Sequence, residues 1–325
     1  MNVLIVIPTL NEAAHIGALL QGLIGYALRS GARIAVVDGG STDGTQAIVE
    51  SMALENANII LLGNPRRLQS AAVNLAVATL GQEATFLIRI DAHAAYPADY
   101  CDVLVAEAER TGADAVVVSM FAVGKSPLQQ QIAIAQNSPL GNGGSAHRNR
   151  TRGEWVEHGH HALMRIAAFE RVGGYDESFS HNEDAELDHR LRKNGFSIWL
   201  TAATRIEYYP RATVLGLLTQ YYRFGRGRAR NLAKHGISTN ARQAVVAALA
   251  PLLLLAVFGA INHLFMLPFL LWLAGCLTGG LWFALQRRDL RSLQAGPIAG
   301  CMQAAWSAGY WVERASVWLK FQRRS

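Results

Sequence analysis

VLIVIPTLNE occupies residues 3–12, where an apolar run changes abruptly to the polar residues Thr9, Asn11 and Glu12. A short apolar run bounded in this way is typical of a buried β-strand. Residues 16–27 then place apolar side chains at helical spacing, so the chain is predicted to start with a strand and a helix. A strand followed by a helix is the first part of a βαβ unit and favours an α/β fold.

Short β-rich runs and helix-compatible segments continue to alternate after this unit. The further predicted strands cover residues 33–37, 59–62, 85–90 and 115–118. This alternation predicts an α/β fold with a Rossmann-like, mostly parallel sheet and helices on both faces. Ligands of such sheets bind at the carboxyl ends of the strands. The polar residues found at these ends are Thr9, Asn11, Glu12, Asp38, Asp91 and His93.

Two of these strand ends also have purely structural interpretations. Thr9 and Glu12 fit a capping box, in which each side chain bonds the other's backbone amide at a helix start. VVDGGSTDGT at residues 36–45 fits a glycine-rich turn in which one of residues 41–43 caps the next helix. The segment lacks the G-x-G-x-x-G spacing, which disfavours a dinucleotide-dependent dehydrogenase.

Two acidic motifs are candidates for catalytic chemistry. Asp91 and His93 stand two residues apart after a predicted central strand, and a carboxylate and an imidazole at this spacing suit one divalent ion. The alternative for this pair is a helix cap before Pro97. Glu183 and Asp184 precede apolar residues at helical spacing, and acidic residues there stabilise a helix start through its dipole. The residues alone leave both alternatives open.

The composition separates the chain into an acidic part and a basic part. Of the 325 residues, 51% are hydrophobic and 17% are charged, so the chain is able to bury a core and intrinsic disorder is excluded. Residues 1–204 hold 15 basic and 21 acidic side chains, a net charge of −6, whereas residues 205–325 hold 15 basic and 3 acidic side chains, a net charge of +12. This asymmetry indicates two parts with different surroundings.

The basic part contains an uncharged stretch long enough to cross a bilayer twice. Residues 243–286 include no Asp, Glu, Lys or Arg. About 20 apolar residues span a membrane, so this stretch predicts a transmembrane hairpin with its turn near Asn262 and His263. The alternative is a buried helical pair in a soluble protein. Residues 292–312 form a third uncharged stretch, so the sequence predicts either two or three membrane-spanning segments.

Basic residues on both sides of the hairpin predict its orientation. Six lie between residues 223 and 242, and three lie between residues 287 and 291. Since cytoplasmic loops carry the excess of Lys and Arg, we expect both flanks and the N-terminal part in the cytosol. The first residues lack the basic region and the cleavage site of a secretory signal, which agrees with this orientation.

Five motifs, taken in their order, resemble the inverting family 2 glycosyltransferases of the GT-A fold. They are VIPTLNE (6–12), VVDGGSTDGT (36–45), FLIRIDAH (86–93), GGYDESFSHNEDAELDHRLRKNG (173–195) and QYYRFGRGRAR (220–230). Three segments narrow the resemblance to the glucosyltransferases of bacterial exopolysaccharide assembly. They are RIDAHAAYP (89–97), EHGHHALMR (157–165) and HNEDAELDHRLR (181–192).

The resemblance implies roles for residues in each motif. Asp184 would be the catalytic base, with Glu183 as its partner or as an acceptor contact. Asp91 and His93 would hold Mn²⁺ or Mg²⁺, and the nitrogen ligand that replaces the family's second Asp favours manganese. His160, in the cluster at residues 157–161, would be a third ligand or a contact of the donor sugar, and the alternative is a loop histidine beside solvent. The residues implied to bind the nucleotide sugar are Pro8, Glu12, Asp38, Arg67, Asn74, Arg89 and Asp91. Those implied to bind the acceptor are His161, Gln220, Arg223 and Arg226.

Two positions qualify these roles. Arg89 suits a diphosphate contact, and it equally suits a cation that balances the charge of Asp91. Phe224 stands where processive relatives carry Trp in Q-x-x-R-W, so transfer of one sugar per encounter is favoured over chain elongation.

The implied enzyme is a metal-dependent hexosyltransferase of the bacterial inner membrane, with its catalytic domain in the cytosol. It would transfer glucose from UDP-glucose to a polyprenyl-diphosphate-linked sugar, with galactose as the acceptor sugar and a β-1,3 linkage as the product. The implied domains are a GT-A catalytic domain at 1–212, a basic amphipathic interfacial segment at 213–242 and a membrane domain at 243–325. The expected partners are the UDP-sugar, the lipid-linked acceptor, membrane lipid and other exopolysaccharide-assembly proteins, without nucleic acid.

Two other functions fit the same sequence. One is a glycosyltransferase that uses bare polyprenyl phosphate, as the dolichyl-phosphate-type synthases do. The other is a non-catalytic membrane scaffold with a degenerate nucleotide fold, and its main support is the replacement of the second Asp of D-x-D by His93.

Overall fold

The predicted alternation of strands and helices is present in the computed structural model, which describes residues 2–142 and 152–322. Contacts divide the chain into two units. As far as the structure describes them, the first unit comprises residues 2–121 and 152–208, and the second comprises residues 122–142 and 209–322. The functional boundaries at residues 212 and 242 stay predictions.

The strands lie in the first part of the chain, and the longest helices lie near its C-terminus. The described strands are β1 Val3–Thr9, β2 Arg33–Asp38, β3 Ile59–Gly63, β4 Phe86–Arg89, β5 Ala94–Ala95, β6 Ala115–Ala122, β7 Glu154–Trp155, β8 His160–Arg165 and β9 Ile198–Tyr208. The described α-helices are α1 Ile16–Ser30, α2 Thr45–Glu55, α3 Gln69–Leu80, α4 Tyr100–Thr111, α5 Pro127–Asn137, α6 Pro139–Asn142, α7 Ile166–Arg171, α8 Glu183–Lys193, α9 Val214–His235, α10 Ala241–Leu254, α11 Leu267–Arg287 and α12 Ala295–Gln322.

The strands form one sheet in the order β3-β2-β1-β4-β8-β6-β9-β5, and β7 pairs with β9. The strands β1 to β4 are parallel neighbours, and Thr9 of β1 lies beside Asp38 of β2. β8 is antiparallel to both β4 and β6, so its first residues lie near the carboxyl ends of these strands. The predicted α/β class is confirmed. The antiparallel strands β7, β8 and β9 were not predicted, and they extend the parallel half into a mixed sheet.

Strand β1 shows why helices cover both faces of the sheet. Successive strand residues point to opposite faces. Val3, Ile5 and Ile7 belong to a core that includes residues of α1, α2 and α4. Leu4 and Val6 belong to a second core, which includes residues of α3, α7 and α8. Both sides of the strand are therefore buried, and only the loops at the strand ends remain free for a site.

The second unit is a bundle in which α9 and α12 approach closely. A Cβ atom on Gly225 would collide with the backbone of Trp306, and one on Gly309 would collide with the backbone of Tyr222. The buried residues of α9 include Leu217 as well as small residues. The predicted interfacial segment thus has one face that contacts protein, whereas Arg223, Arg230 and Lys234 are exposed.

Two segments of this unit are long and apolar enough to cross a membrane. Among the described residues they are Ala241–Phe258 and His263–Arg287, with mean hydropathies of 2.0 and 1.9. Only 6% and 17% of their apolar windows are buried, whereas the core helix of a soluble protein is mostly covered. The predicted turn at residues 262 and 263 falls where the second segment begins. The third uncharged stretch lies in α12, which packs against α9, α10 and α11 and is not among these candidates.

Candidate active site

Asp38 organises the glycine-rich loop after β2. Its carboxylate accepts hydrogen bonds of 2.9 Å from the backbone amides of Gly40 and Ser41, and further ones from the Ser41 hydroxyl and the Gln46 amide. Burial opposes ionisation of Asp38, but these hydrogen bonds outweigh it and lower its pKa. Asp38, predicted to contact the nucleotide, is only 2% exposed and holds the loop in place.

Asp43 binds the first residue of α2 and connects the loops after β1 and β2. It accepts hydrogen bonds from the backbone and the hydroxyl of Thr45, at 3.1 and 2.6 Å, and from the backbone of Ala13 at 3.0 Å. The glycine-rich segment is therefore a turn held by Asp43, but the residue at the N-cap of α2 is Gly44 and not one of residues 41–43. The capping box at Thr9 and Glu12 is wrong, because α1 begins only at Ile16.

Asn74 of α3 fixes the segment that leads into Tyr175. Its side-chain amide donates to the Tyr175 carbonyl at 2.8 Å, and its side-chain oxygen accepts from the Tyr175 amide at 2.8 Å. Gly174, which precedes Tyr175, has a φ of +68°. A Cβ atom on Gly174 would lie 2.6 Å from the Asn74 side-chain oxygen, so only glycine fits at this position. Of the other residues predicted to bind the nucleotide sugar, Pro8 is half-buried in β1, and the guanidinium of Arg67 lies against Gly40.

Arg89 brings the two candidate acidic motifs together. Its guanidinium is buried, donates to Asp184 at 2.7 Å and to the Tyr175 hydroxyl at 3.1 Å, and lies 3.8 Å from Asp91. Asp91 and Asp184, 93 positions apart in sequence, therefore share one cation. Arg89 thus has the charge-balancing arrangement that was one of its two predicted alternatives.

The neighbouring carboxyl groups of Asp184 and Glu183 have pKa values shifted in opposite directions. Burial favours protonation of Asp184, but the charges of Arg89 and His161 outweigh it and lower its pKa well below the usual range. Glu183 is affected in the opposite direction, because burial and the Asp184 charge raise its pKa to about 7. At neutral pH Asp184 is therefore fully ionised, and Glu183 is close to its titration point.

His160 lies between the two aspartates. Its Nε2 is 3.8 Å from Asp91 Oδ2, and its Nδ1 is 3.6 Å from Asp184 Oδ2. Burial and the Arg89 charge lower the pKa of His160, so its ring is neutral and suited to bind a metal. Asp91 also accepts a hydrogen bond of 2.6 Å from Gln69, a contact that sequence analysis missed.

His93 occupies a different place from His160. Its Nδ1 lies 3.0 Å from Glu12 Oε1, and its ring is more than half exposed. Within the described residues, no group of three His, Cys, Asp or Glu side chains is arranged to hold a metal. Of the three predicted ligands, the structure brings Asp91 and His160 toward each other and pairs His93 with Glu12.

A buried network behind Asp184 was not predicted. Asp188, one helical turn after Asp184 in α8, lies 2.6 Å from His161 Nε2 and 2.6 Å from His158 Nδ1. His161 Nδ1 lies 2.8 Å from the Tyr175 hydroxyl, which donates to Asp184 at 3.0 Å. His161, predicted to contact the acceptor, has no exposed surface. The i, i+4 spacing of two acids in α8 was the available sequence signal.

The remaining residues predicted to bind the acceptor lie on α9 in the second unit. Gln220 is half-buried and Arg223 is exposed. Arg226 pairs with Glu313 of α12 at 2.8 Å. Arg226 therefore contributes to the packing of two helices, whereas Arg223 presents its charge to the surroundings.

Asp91, His160 and Asp184 lie close together and support two chemical functions. A carboxylate and a neutral imidazole that face each other suit a divalent cation. A second carboxylate, kept ionised and hydrogen-bonded on one oxygen, suits proton abstraction. The site thus resembles one built to bind an anionic substrate through a metal and to activate a hydroxyl group.

Comparisons with known proteins agree with this chemistry. The model of the family "Glycosyl transferase family 2" matches residues 4–173. The succinoglycan biosynthesis protein ExoA of Rhizobium meliloti (strain 1021) is 52% identical over 321 residues, which cover 99% of this chain and 96% of ExoA.

Solved structures show the same fold at low sequence identity. The mannosyltransferase PcManGT from Pyrobaculum calidifontis, in complex with GDP-Man and Mn²⁺, has a TM-score of 0.57 and 20% identity, and the match covers 94% of this chain and 87% of that one. S. aureus TarS 1-349 in complex with UDP has a TM-score of 0.50 and 14% identity, with coverage of 95% and 91%. The fold is therefore of the GT-A type. Together with the family match and the identity to ExoA, this shows that the chain belongs to glycosyltransferase family 2 and is a glycosyltransferase related to ExoA.

Proposed function

We propose that the enzyme transfers glucose from UDP-glucose, with inversion, to a polyprenyl-diphosphate-linked sugar during synthesis of a succinoglycan-like exopolysaccharide. The acceptor sugar is galactose, and the new linkage is β-1,3. The observation that carries this proposal is the 52% identity to ExoA over nearly the whole chain. It is supported by an ionised Asp184 that shares Arg89 with Asp91.

Asp184 is the proposed base. Its Oδ1 accepts hydrogen bonds from Arg89 and Tyr175, whereas His160 Nδ1 lies 3.6 Å from Oδ2, beyond hydrogen-bond distance. Oδ2 is therefore the oxygen that takes the proton of the acceptor hydroxyl. As that proton leaves, the hydroxyl oxygen bonds to the anomeric carbon from the face opposite the diphosphate, and UDP departs with the electron pair of the broken bond. A single displacement of this kind inverts the anomeric configuration.

The residues around Asp91 fit a divalent metal. Asp91 Oδ2 and His160 Nε2 are 3.8 Å apart, close enough for both side chains to bind one ion. Asp91 and His160 would hold Mn²⁺ or Mg²⁺, and the nitrogen ligand favours manganese. When bound, the ion would neutralise the charge that develops on the departing diphosphate. Gln69 holds the other Asp91 oxygen and so orients the carboxylate.

We expect His160→Ala to raise the Mn²⁺ concentration needed for half-maximal transfer by at least about 10-fold, since loss of even an outer partner of a metal ligand costs about 10- to 100-fold. His93→Ala is the matched comparison and tests the original ligand prediction. Since His93 pairs with Glu12, we expect a smaller increase for this variant. Mn²⁺ titrations of both variants at saturating UDP-glucose provide the measurement. Equal metal requirements for His160→Ala and the wild type would remove His160 from the site.

The nucleotide is proposed to lie at the carboxyl ends of β1 and β2. Pro8, Glu12, Asp38 and Arg67 line this edge, and their roles stay predictions. The support from relatives is that TarS binds UDP and PcManGT binds GDP-Man, both nucleotide-containing ligands, on the same fold. Asn74 does not line this edge in the proposal; it contributes by hydrogen-bonding the backbone of Tyr175.

The hairpin is proposed to hold the enzyme on the cytosolic face of the bacterial inner membrane. The support is the two apolar segments with little buried surface and the basic residues on both of their flanks. An enzyme confined to the bilayer meets a lipid-linked acceptor at a high effective concentration. The basic residues of α9, including Arg223, add attraction to anionic lipid.

This topology predicts that the turn near residue 262 faces the periplasm. In a background without the three native cysteines, a cysteine at Asn262 should react with a membrane-impermeant maleimide added to intact cells. The matched control is Ser238→Cys, between α9 and α10, which should react only after the cells are opened. Labelling of both sites only in opened cells would contradict the hairpin.

The proposed reaction is tested by purified enzyme, radiolabelled UDP-glucose and two lipids, polyprenyl phosphate and polyprenyl-diphosphate-galactose. We expect product only with the second lipid, followed by a β-1,3 assignment from linkage analysis. Product only with the first lipid would establish the polyprenyl-phosphate alternative. Absence of turnover over a panel of nucleotide sugars, lipids and metals would favour the non-catalytic scaffold.

A further inference from the structure

Asp188 is a fully buried acid that the proposed reaction does not use directly. It lies in α8, one turn after Asp184, and has no exposed surface. Its Oδ1 is 2.6 Å from His161 Nε2, and its Oδ2 is 2.6 Å from His158 Nδ1 and 3.3 Å from the backbone amide of Gly159. Both carboxylate oxygens therefore hold the segment that leads into β8.

The His161 ring lies between the two acids of α8. One nitrogen faces Asp188, and the other is 2.8 Å from the Tyr175 hydroxyl and 3.4 Å from Asp184 Oδ1. A ring with partners on both nitrogens has one orientation, because a flip would turn carbon atoms toward Asp188 and Tyr175.

The Tyr175 hydroxyl transmits this orientation to the base. It contacts His161 Nδ1, donates to Asp184 Oδ1 and accepts from Arg89 Nη1 at 3.1 Å. With Oδ1 held by Tyr175 and Arg89, the Asp184 carboxylate has a fixed rotation, and Oδ2 is directed to its other side. Small displacements of a catalytic group reduce rates strongly, so the rigidity of this hydroxyl bears on catalysis.

We propose that Asp188 is a positioning residue for sugar transfer, which holds the His161 ring so that Tyr175 and Asp184 keep the geometry of proton abstraction. This inference rests on the proposed role of Asp184 as the base. The arrangement is that of a base whose orientation is set by a further hydrogen-bonded group.

Asp188→Asn is the first test, because the amide keeps the size of the side chain and loses one of the two acceptor oxygens. We expect kcat to fall about 10- to 100-fold, as for other outer hydrogen-bond partners, while the KM for UDP-glucose and the Kd for UDP change less than about threefold. Loss confined to kcat indicates a positioning role, since a general loss of structure also weakens donor binding.

Glu186→Gln is the matched control. Glu186 lies in the same helix, is equally buried and pairs with Arg190 at 2.6 Å. We expect this variant to lose thermal stability as Asp188→Asn does, yet to keep kcat within about threefold. Equal losses of kcat in the two variants would show that Asp188 only maintains the fold, and would overturn the proposal.

Tyr175→Phe gives an independent readout, because it removes only the hydroxyl that links His161 to Asp184. We expect a decrease in kcat of about tenfold or more, and a smaller additional decrease when Asp188→Asn is combined with it, since both act through one chain of contacts. Should Asp188→Asn not fold, a Tyr175→Phe enzyme with kcat within twofold of the wild type overturns the proposal.

All variants are compared with the wild type on the same substrate. A wild type that transfers no sugar refutes the proposed function, and one that uses another acceptor leaves this test intact.

Discussion

Asp184→Asn should lower kcat for sugar transfer by about a hundred- to ten-thousandfold, with the Kd for UDP within about threefold of the wild type. General bases contribute about 10²- to 10⁴-fold, and an amide cannot take the proton of the acceptor hydroxyl. The variant keeps a side-chain oxygen that accepts from Arg89 and Tyr175, which hold Asp184 at 2.7 and 3.0 Å. The loss should therefore lie in the chemical step. Single-turnover transfer from radiolabelled UDP-glucose and calorimetric UDP binding provide the two measurements.

Glu183→Gln is the comparison that separates the two neighbouring carboxylates. A pKa near 7 would also suit a base at neutral pH, so Glu183 is the direct competitor for that role. Because Asp184 holds the contacts to Arg89 and Tyr175, we expect Glu183→Gln to lose far less activity than Asp184→Asn. The reverse order would assign proton abstraction to Glu183. A large loss of UDP affinity in Asp184→Asn would instead move Asp184 into the donor site.

The sequence predicted the parallel half of the sheet because its signals are local. β1 to β4 are short apolar runs separated by helical spacing, and each is present. β8 begins with His160 and His161 and pairs antiparallel with β4, which no local pattern indicates. Its position decides the site, because it brings His160 between Asp91 and Asp184.

The contacts within the site were predictable only in part. Asp91 and Asp184 were identified from their motifs, and Arg89 lies between them, as expected for a balancing cation. Its predicted diphosphate contact stays a prediction. His93 lies beside Glu12 and His160 lies beside Asp91, and these pairs are 81 and 69 positions apart in the sequence, a separation that periodicity does not encode. Asp188 was missed because a buried acid in a helix looks like any charged helix residue until its partners are known.

Arg89→Met should destabilise the protein by about 3–5 kcal/mol, the usual result when one partner of a buried ion pair is removed. The Arg89 side chain is 4% exposed and contacts two carboxylates, so the variant leaves the charge of Asp184 without its main compensation. Arg29→Met is the matched control. It removes a guanidinium whose partner Asp102 is half exposed, and such surface pairs contribute at most about 1 kcal/mol. Thermal unfolding in detergent compares the two variants with the wild type.

The stability deficit of Arg89→Met should also depend on pH in a defined direction. In the wild type the pKa of Asp184 is lowered, so its contribution to stability is present above the unfolded pKa of about 3.9 and is lost as the pH falls through the lower folded value. Without Arg89, the largest cause that lowers the pKa of Asp184 is lost, so this pKa rises and the folded variant binds a proton at a higher pH than the wild type does. The deficit should therefore be largest at neutral pH and shrink on acidification.

Adding Asp184→Asn to Arg89→Met removes the uncompensated charge and should restore part of the stability but none of the activity. If the double variant is instead as unstable as the sum of its single changes, Arg89 does not serve to compensate Asp184.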